Sequence, residues 1–238
     1  MLSKQHQFVF VHVPKTGGAS VVEILRALYQ EKKPPCAHLT ASEYRRMLGH
    51  SQFDAYYKWA IVRNPYERFL SSYYWRKHQM LRRGFRKAAA VSIEDLALNM
   101  ERYRYSDERH ILSQYELTHV DGKCVCEIYR YEEGLENILR LAIPKISQDR
   151  IPNEISQIPR IHDVRRDKRP YYEQLSPAAI EAISQRYRKD FEAFGYEFHK
   201  HTNLPKFSPS NMPHQPNRPH HSRTLRHSRE GGNPDGQF

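Results

Sequence analysis

The sequence predicts a three-layer α/β fold in which a short central parallel sheet is flanked by helices. Two observations predict it: buried apolar runs that end abruptly in loops rich in glycine, proline or arginine, and stretches of helical period that follow those loops. This alternation is typical of the strand-loop-helix units that build parallel sheets. Because the motifs span one fold, we expect a single folded domain over residues 1–200.

The first strand-loop-helix unit reads FVFVHVPKTGGAS over residues 8–20. Its first six residues carry no charge and are rich in β-branched and aromatic side chains, which predicts a strand that is buried on both faces. Apolar residues recur at near-helical spacing after Ala19, which predicts that a helix follows the loop at once. The loop therefore lies between the end of a strand and the start of a helix.

This loop has the features of an anion-binding site. The amides of Thr16–Ser20 lie at the predicted helix N terminus, where unpaired N–H groups and the helix dipole favour a phosphate or sulfate. We expect Gly17 and Gly18 to tolerate the positive φ angles that curl the chain around an anion, and Lys15 adds a positive charge. Lys15 precedes the glycines, whereas nucleotide triphosphatases place the lysine after them in G-x-x-x-x-G-K-[ST].

The second unit contains a short buried strand, Trp59–Val62, which ends in the phrase RNPYERFLSSYY. Asn64 suits the cap of the following helix, and Pro65 suits its first turn. We expect Arg63, at the end of the strand, and Ser71, further along the helix, to converge on one phosphate. Arginine supplies a charge-assisted fork for such a group and serine supplies a neutral hydroxyl.

Taken together, these motifs resemble those of the carbohydrate sulfotransferases, especially the sulfotransferase family 2 group. HVPKTGGAS resembles the family's 5′-phosphosulfate loop, although the family usually carries Thr at the position of Ala19. The second phrase resembles its 3′-phosphate site, R-[DN]-P-x-x-R-x-x-S-x-Y, with every fixed position present. EIYRYE at 127–132 resembles the family's third core strand, and DFEAFGY at 190–196 resembles its closing phrase. The resemblance covers residues 8–199.

The resemblance implies a P-loop NTPase-like fold and an enzyme that transfers a sulfuryl group from 3′-phosphoadenylyl sulfate (PAPS), without a metal, to a hydroxyl. The implied acceptor is a carbohydrate or a lipid-linked glycan. Lys15 is expected to be catalytic as well as donor-binding, since it would stabilise charge on the leaving oxygen. The implied donor-binding residues are Lys15, Thr16, Gly17, Gly18, Ala19, Ser20, Arg63 and Ser71.

The expected general base is His38. Imidazole titrates near neutrality, which suits this role, and uronyl 2-O-sulfotransferases of the family place a pair of histidines in this region. Here only the second is kept, and the first position is Cys36. His12 is expected to be structural because it lies on the predicted strand. His110 and Glu67 are weaker base candidates.

Two other functions remain open from the residues alone. A nucleotide-dependent kinase could use the same strand-loop-helix scaffold, but it requires magnesium ligands, and no convincing acidic strand end follows the loop. A non-catalytic module that binds an anion or nucleic acid could keep the phosphate loops. The role of Arg68 is likewise open, because the residue suits an ion pair inside the protein as well as it suits contact with a ligand.

The formal net charge of +11 points to anionic partners. The densest basic stretches, residues 76–87 and 165–169, lack the aromatic interleaving of a single-strand binding groove, so we expect no nucleic-acid partner. The stretch 76–87 is expected to be a solvated helix face. A sulfate donor that carries several negative charges explains the excess of positive charge more simply than a nucleic-acid partner does.

Three cysteines are too few for a disulfide framework, and no Cys/His grouping has metal-ligand spacing, which favours a reducing compartment. The first strand begins too early for a leader, and no apolar run could span a bilayer. We therefore expect a cytoplasmic enzyme, with peripheral contact to the inner membrane left open. Residues 201–238 are expected to be a disordered tail, whose ending resembles a translated intergenic repeat of bacterial genomes. The oligomeric state is not predicted.

Overall fold

The structure is a computed structural model that describes residues 1–32, 34, 38–102, 108–147, 167 and 169–199. The predicted tail, Cys36 and most of the basic stretch 165–169 lie outside the described residues.

A four-stranded sheet forms the centre of the fold, with the strand order β1-β2-β3-β6. Strands β2, β3 and β6 are parallel, and β1 pairs antiparallel with β2 at the edge. Strands β4 and β5 form a separate antiparallel pair. The strands are β1 (Leu2–Ser3), β2 (Phe8–Val11), β3 (Tyr57–Val62), β4 (His119–Val120), β5 (Lys123–Cys124) and β6 (Glu127–Arg130).

Helices surround this sheet. They are α1 (Gly18–Tyr29), α2 (Ala41–Leu48), α3 (His50–Ala55), α4 (Pro65–Arg82), α5 (Arg86–Ala89), α6 (Ile93–Leu98), α7 (Gln114–Thr118), α8 (Leu135–Ile146), α9 (Pro177–Arg186) and α10 (Arg188–Phe194). Short 3-10 turns occur at Met100–Arg102, Glu108–His110, Tyr131–Glu133 and Tyr171–Glu173.

Both faces of the sheet are covered, so the predicted three-layer α/β fold is confirmed. Phe8 and Phe10 point to the face that packs against α1 and α8. Val9 and Val11 point to the opposite face, against α2, α3 and α7. All four side chains are fully buried, as the uncharged run predicts. A third apolar cluster joins α4 to α6, α9 and α10.

The parallel strands end at the same edge of the sheet, and this edge collects the predicted motifs. β2 leads into the loop before α1, β3 leads into Arg63, and β6 leads into Tyr131. Asn64 caps α4 through its side-chain oxygen, which accepts from the amides of Tyr66 and Glu67. Pro65 occupies the first turn, as predicted.

Two details differ from the sequence predictions. The first strand stops at Val11, so His12 and Val13 already belong to the loop. Arg76 is buried and donates to the carbonyl oxygen of Ala88 at 2.9 Å, so it does not belong to the solvated face that was predicted for the basic stretch. Lys77 and residues 81–87 are exposed. In the part of the chain that the structure describes, no helix combines the length and apolar character needed to cross a bilayer.

Candidate active site

The loop between β2 and α1 is held in a tight, partly strained conformation. Lys15 has φ +69° and Gly17 has φ +78°, both in the left-handed region. A non-glycine residue in that region costs free energy and marks sites where the fold imposes the geometry. The Thr16 hydroxyl closes the loop by donating to the carbonyl oxygen of Val13 at 2.9 Å. The proton of this hydroxyl is therefore engaged within the loop and is not available to a ligand.

The sequence predicted anion-binding amides over Thr16–Ser20 at the N terminus of α1, and one of them, that of Ser20, is engaged inside the helix instead. The carbonyl oxygen of Gly17 accepts from Ser20 and Val21, so the amides that precede them have no intrahelical acceptor. No side chain caps this end of the helix. Gly17 and Ala19 are half-buried, whereas Gly18 and Ser20 are buried. The loop thus has the local form of an anion cradle.

Gly18 is required for space rather than for backbone freedom. A Cβ at this position would lie 2.0 Å from Cδ2 and 2.4 Å from Nε2 of the His12 ring. Its φ is not positive, unlike that of Gly17, so the expectation that both glycines supply positive φ is wrong for Gly18. The second glycine lets the start of α1 rest directly on His12.

Arg63 brings the second motif to this loop. Its Nη1 donates to the carbonyl oxygen of Lys15 at 3.3 Å, and its guanidinium lies 4.5 Å from the ring centre of Tyr131. The same tyrosine is 3.1 Å from where a Cβ at Gly17 would lie. Glu67, a weaker base candidate from the sequence, pairs with Arg63 at 3.7 Å.

Gln114, which sequence reasoning missed, fixes the backbone of Arg63. Its Oε1 accepts from the Arg63 amide and its Nε2 donates to the Arg63 carbonyl oxygen, both at 2.8 Å. Gln114 is fully buried at the start of α7. The sequence does contain the capping box Ser113-x-x-Glu116, which marks the start of α7. It does not show that Gln114, inside that box, contacts Arg63.

Asp190, in the closing phrase, holds the start of α7 and with it the clamp, by which we mean the two hydrogen bonds from Gln114 to the backbone of Arg63. Its carboxylate accepts from the amides of Gln114 and Tyr115 at 3.0 and 2.9 Å. Burial raises its pKa, and the guanidinium of Arg68, at 3.9 Å, opposes that shift. Arg68 is 2% exposed and also donates to the Leu112 carbonyl oxygen, so it is an internal structural residue.

The rest of the closing phrase contacts the ends of β3 and β6. Arg130 donates to the carbonyl oxygen of Phe194 at 2.6 Å, and Gly195 has φ +64° beside it. The Tyr196 hydroxyl donates to Glu132, whose other carboxylate oxygen accepts from the Asn64 amide. This explains why a phrase far along the chain accompanies the phosphate motifs.

Ser71 is half-buried on α4. Glu67, Ser71 and Trp75 are spaced four residues apart, so they share one helix face. Glu67 contacts Arg63, and the Trp75 ring lies 5.4 Å from the Lys15 ammonium. Ser71 therefore lies between two side chains that touch the phosphate motifs.

Three histidines meet beside the loop. The rings of His12 and His38 are 4.4 Å apart, and those of His38 and His110 are 4.9 Å apart, edge to face. His110 also stacks on Trp75 at 4.4 Å, and Trp75 reaches Lys15. His38 is half-buried and is thus connected to the loop before α1 both by its contact with His12 and by the path through His110 and Trp75. No continuous motif indicates this arrangement, since these residues lie on four separate segments.

Hydrogen bonding defines the protonation of His38. Its Nδ1 lies 3.1 Å from the carbonyl oxygen of His12. A carbonyl oxygen can only accept, so Nδ1 carries the proton and the lone pair of the neutral ring is on Nε2. That is the tautomer a general base needs.

Both flanking histidines are neutral at pH 7. Burial lowers the pKa of His12 well below its ordinary value, and the nearby His38 lowers it further. Burial, followed by His38 and Lys15, lowers the pKa of His110 to about 3. Neutral rings avoid repulsion with the Lys15 ammonium. Among the described residues, no group of three or more His, Cys, Asp or Glu side chains is placed to hold a metal ion.

Residues 1–197 match the model of the sulfotransferase family. The chain belongs to the sulfotransferase family. No curated protein and no solved structure matches the chain. Family membership makes the chain a transferase of sulfuryl groups, with a sulfate donor and an acceptor as its substrates, and favours that activity over the kinase alternative. The match includes both phosphate motifs, the Gln114 clamp and the closing phrase.

Proposed function

We propose that this sulfotransferase transfers a sulfuryl group from PAPS to a hydroxyl of a carbohydrate or a lipid-linked glycan. The observation that carries the proposal is the contact between the two motifs: Arg63 donates to the carbonyl oxygen of Lys15. Two anion-binding elements far apart in the sequence are thus adjacent. A nucleotide with phosphates at both its 3′ and 5′ positions needs such a pair.

The loop supports binding at the 5′ end of the donor. The uncapped N terminus of α1 offers amides, and Gly18 lets the helix start close to His12. Lys15 adds the charge that balances a phosphosulfate. Arg63 and Ser71 are assigned to the 3′-phosphate. The Arg63 guanidinium would exchange its long contact with Lys15 and its pairing with Glu67 for a charge-assisted fork.

The reaction follows from this placement. The acceptor oxygen forms a bond to sulfur while the bond from sulfur to the bridging phosphate oxygen breaks, and the electron pair stays on the 5′-phosphate. Lys15 and the loop amides stabilise that charge. The acceptor proton moves to Nε2 of His38, which Nδ1–H donation to His12 holds in the required tautomer. The neutral state of His12 and His110 keeps that proton transfer from being opposed by two further cations.

The net positive charge supports an anionic donor and an acidic acceptor. Cys124 and Cys126 are both free thiols, and burial raises the pKa of Cys126, in keeping with a reducing compartment. The proposal therefore keeps the bacterial cytoplasm as the location.

Calorimetry with adenosine 3′,5′-bisphosphate and adenosine 5′-phosphate tests the donor assignment. The wild-type chain should prefer the bisphosphate. Arg63→Ala should lose about tenfold to hundredfold of that preference, because a hydrogen bond to a charged group is removed. Arg140→Ala, which removes an exposed arginine on α8, should leave it unchanged. A preference for ATP with magnesium, or an unchanged preference in Arg63→Ala, would overturn the assignment.

Turnover tests the catalytic assignment. The chain is incubated with radiolabelled PAPS and a panel of bacterial glycans and lipids, and sulfated products are counted. Lys15→Ala should abolish incorporation into whichever acceptor is labelled. An almost unchanged rate in that variant would show that the loop is not catalytic.

A further inference from the structure

The turn between α4 and α5, residues 81–87, is exposed at every position and reads LRRGFRK. We name it the α4–α5 tip. Two of its side chains are large and apolar: Leu81 is 53% exposed and Phe85 is 56% exposed. Its other side chains are the cations Arg82, Arg83, Arg86 and Lys87. The tip thus combines exposed apolar surface with a dense positive charge.

Hydrogen bonds hold the tip in a defined shape. Gly84, at φ +78°, donates to the carbonyl oxygen of Leu81 at 3.0 Å, and Phe85 donates to that of Met80 at 2.9 Å. This is the Schellman arrangement, in which the apolar residue after the glycine commonly packs back on the helix. Here more than half of the Phe85 side chain faces solvent instead.

The charge of the tip is not balanced locally. No Asp or Glu occurs from residue 68 to residue 93. Within the part of the chain that the structure describes, none of the four tip cations has an ion-pair partner. The cations are therefore available to an anionic surface.

We propose that the α4–α5 tip binds the surface of an anionic lipid bilayer. Lys and Arg are attracted to anionic headgroups, and apolar side chains between them enter the boundary with the acyl chains. A nucleic acid would engage the cations but would offer nothing to the aliphatic Leu81. Trp75 of the active site precedes Arg82 by seven residues of α4, about 10 Å along the helix. Docking would thus bring Trp75, and Lys15 beside it, close to a membrane. The lipid binding itself does not depend on the proposed function.

Co-sedimentation of the full chain with vesicles tests this proposal. Binding is expected to vesicles that contain phosphatidylglycerol and to be much weaker with phosphatidylcholine alone. Phe85→Ser should weaken binding about tenfold, because the variant lacks the aromatic side chain that the bilayer would bury. Arg82→Gln should weaken vesicle binding about fivefold, and so should Arg83→Gln. Added salt should also weaken binding, because it screens the attraction between the cations and the headgroups.

α2 provides a matched control, since Arg46 and Met47 are also an exposed cation and an exposed apolar side chain, with Met47 57% exposed. Arg46→Gln and Met47→Ser should leave vesicle binding unchanged. Affinity for adenosine 3′,5′-bisphosphate should be the same in all these variants, which verifies folding. Equal binding by tip and control variants would overturn the proposal. Tip variants that keep vesicle binding but lose binding to an RNA oligonucleotide would also overturn it.

Discussion

Replacement of Gly18 by alanine should disturb the loop between β2 and α1 through His12. The added Cβ would lie 2.0 Å from Cδ2 of the His12 ring, whereas carbon atoms are in favourable contact at about 3.5 Å. Ring and loop must therefore separate by about 1.5 Å in a buried site. Overpacking of this kind costs roughly 1 to 3 kcal/mol, which lowers Tm by about 2 to 12 °C in a chain of this size.

A double-mutant cycle identifies the cause. His12→Ala removes the ring and makes room for the new methyl group, so Gly18→Ala should cost much less in that background than in the wild type. Urea unfolding gives the four stabilities, and calorimetry with adenosine 3′,5′-bisphosphate reports displacement of the loop. Destabilisation by Gly18→Ala that persists undiminished without the His12 ring would refute the steric argument.

Three further predictions concern the clamp and the histidines. Gln114→Leu leaves the amide and carbonyl of Arg63 without their partners, so affinity for adenosine 3′,5′-bisphosphate should fall about tenfold while that for adenosine 5′-phosphate holds. His38→Ala should lower kcat by about 10² to 10⁴ with an unchanged donor Kd, as measured by initial rates and calorimetry. The free energy of unfolding, measured with urea, should fall as pH is lowered from about 6.5 towards 3. Over that interval His12 and His110 bind protons in the unfolded chain but not when buried, which costs roughly 1.4 kcal/mol per pH unit for each.

Each of these predictions has a clear contrary result. Equal losses for both nucleotides in Gln114→Leu would mean general damage to the fold. A normal kcat in His38→Ala would assign the base elsewhere, and His50→Ala, an exposed histidine on α3, is the matched control. If His110→Asn leaves the acid slope of stability unchanged, burial of that ring does not produce the slope.

The sequence predicted the parts of the fold that depend on local patterns. Uncharged runs predicted β2 and the second half of β3, and Pro65 with Asn64 marked the start of α4. β6 has a charged residue at each end and was predicted only through the family resemblance. The edge strand β1 was missed because two residues carry no detectable period. The end of the first strand was placed two residues late, since apolar Val13 continues the run although its amide donates back to the Val11 carbonyl oxygen.

The candidate site was predictable only where a motif is continuous in sequence. The loop and Arg63 follow directly from their strands, and Arg63 contacts the carbonyl oxygen of Lys15. That the two elements bind one ligand stays a prediction. Gln114 and Trp75 were not predicted, because their roles arise from tertiary contacts with residues that lie far away in the chain. The assignments of His38 and Ser71 stay predictions, now with a defined tautomer for one and a defined helix face for the other.

The link from Asp190 through Gln114 to Arg63 sets an order in which the protein can mature. During synthesis the 5′ loop can form as soon as β6 and α8 have emerged, because its neighbours Tyr131 and Leu135 are then present. The arginine side of the pocket must wait for Asp190, close to the end of the family-matched segment. A growing or truncated chain therefore has the loop before α1 but lacks the contacts that fix the backbone of Arg63, so any ligand that needs both elements should bind only to the finished domain.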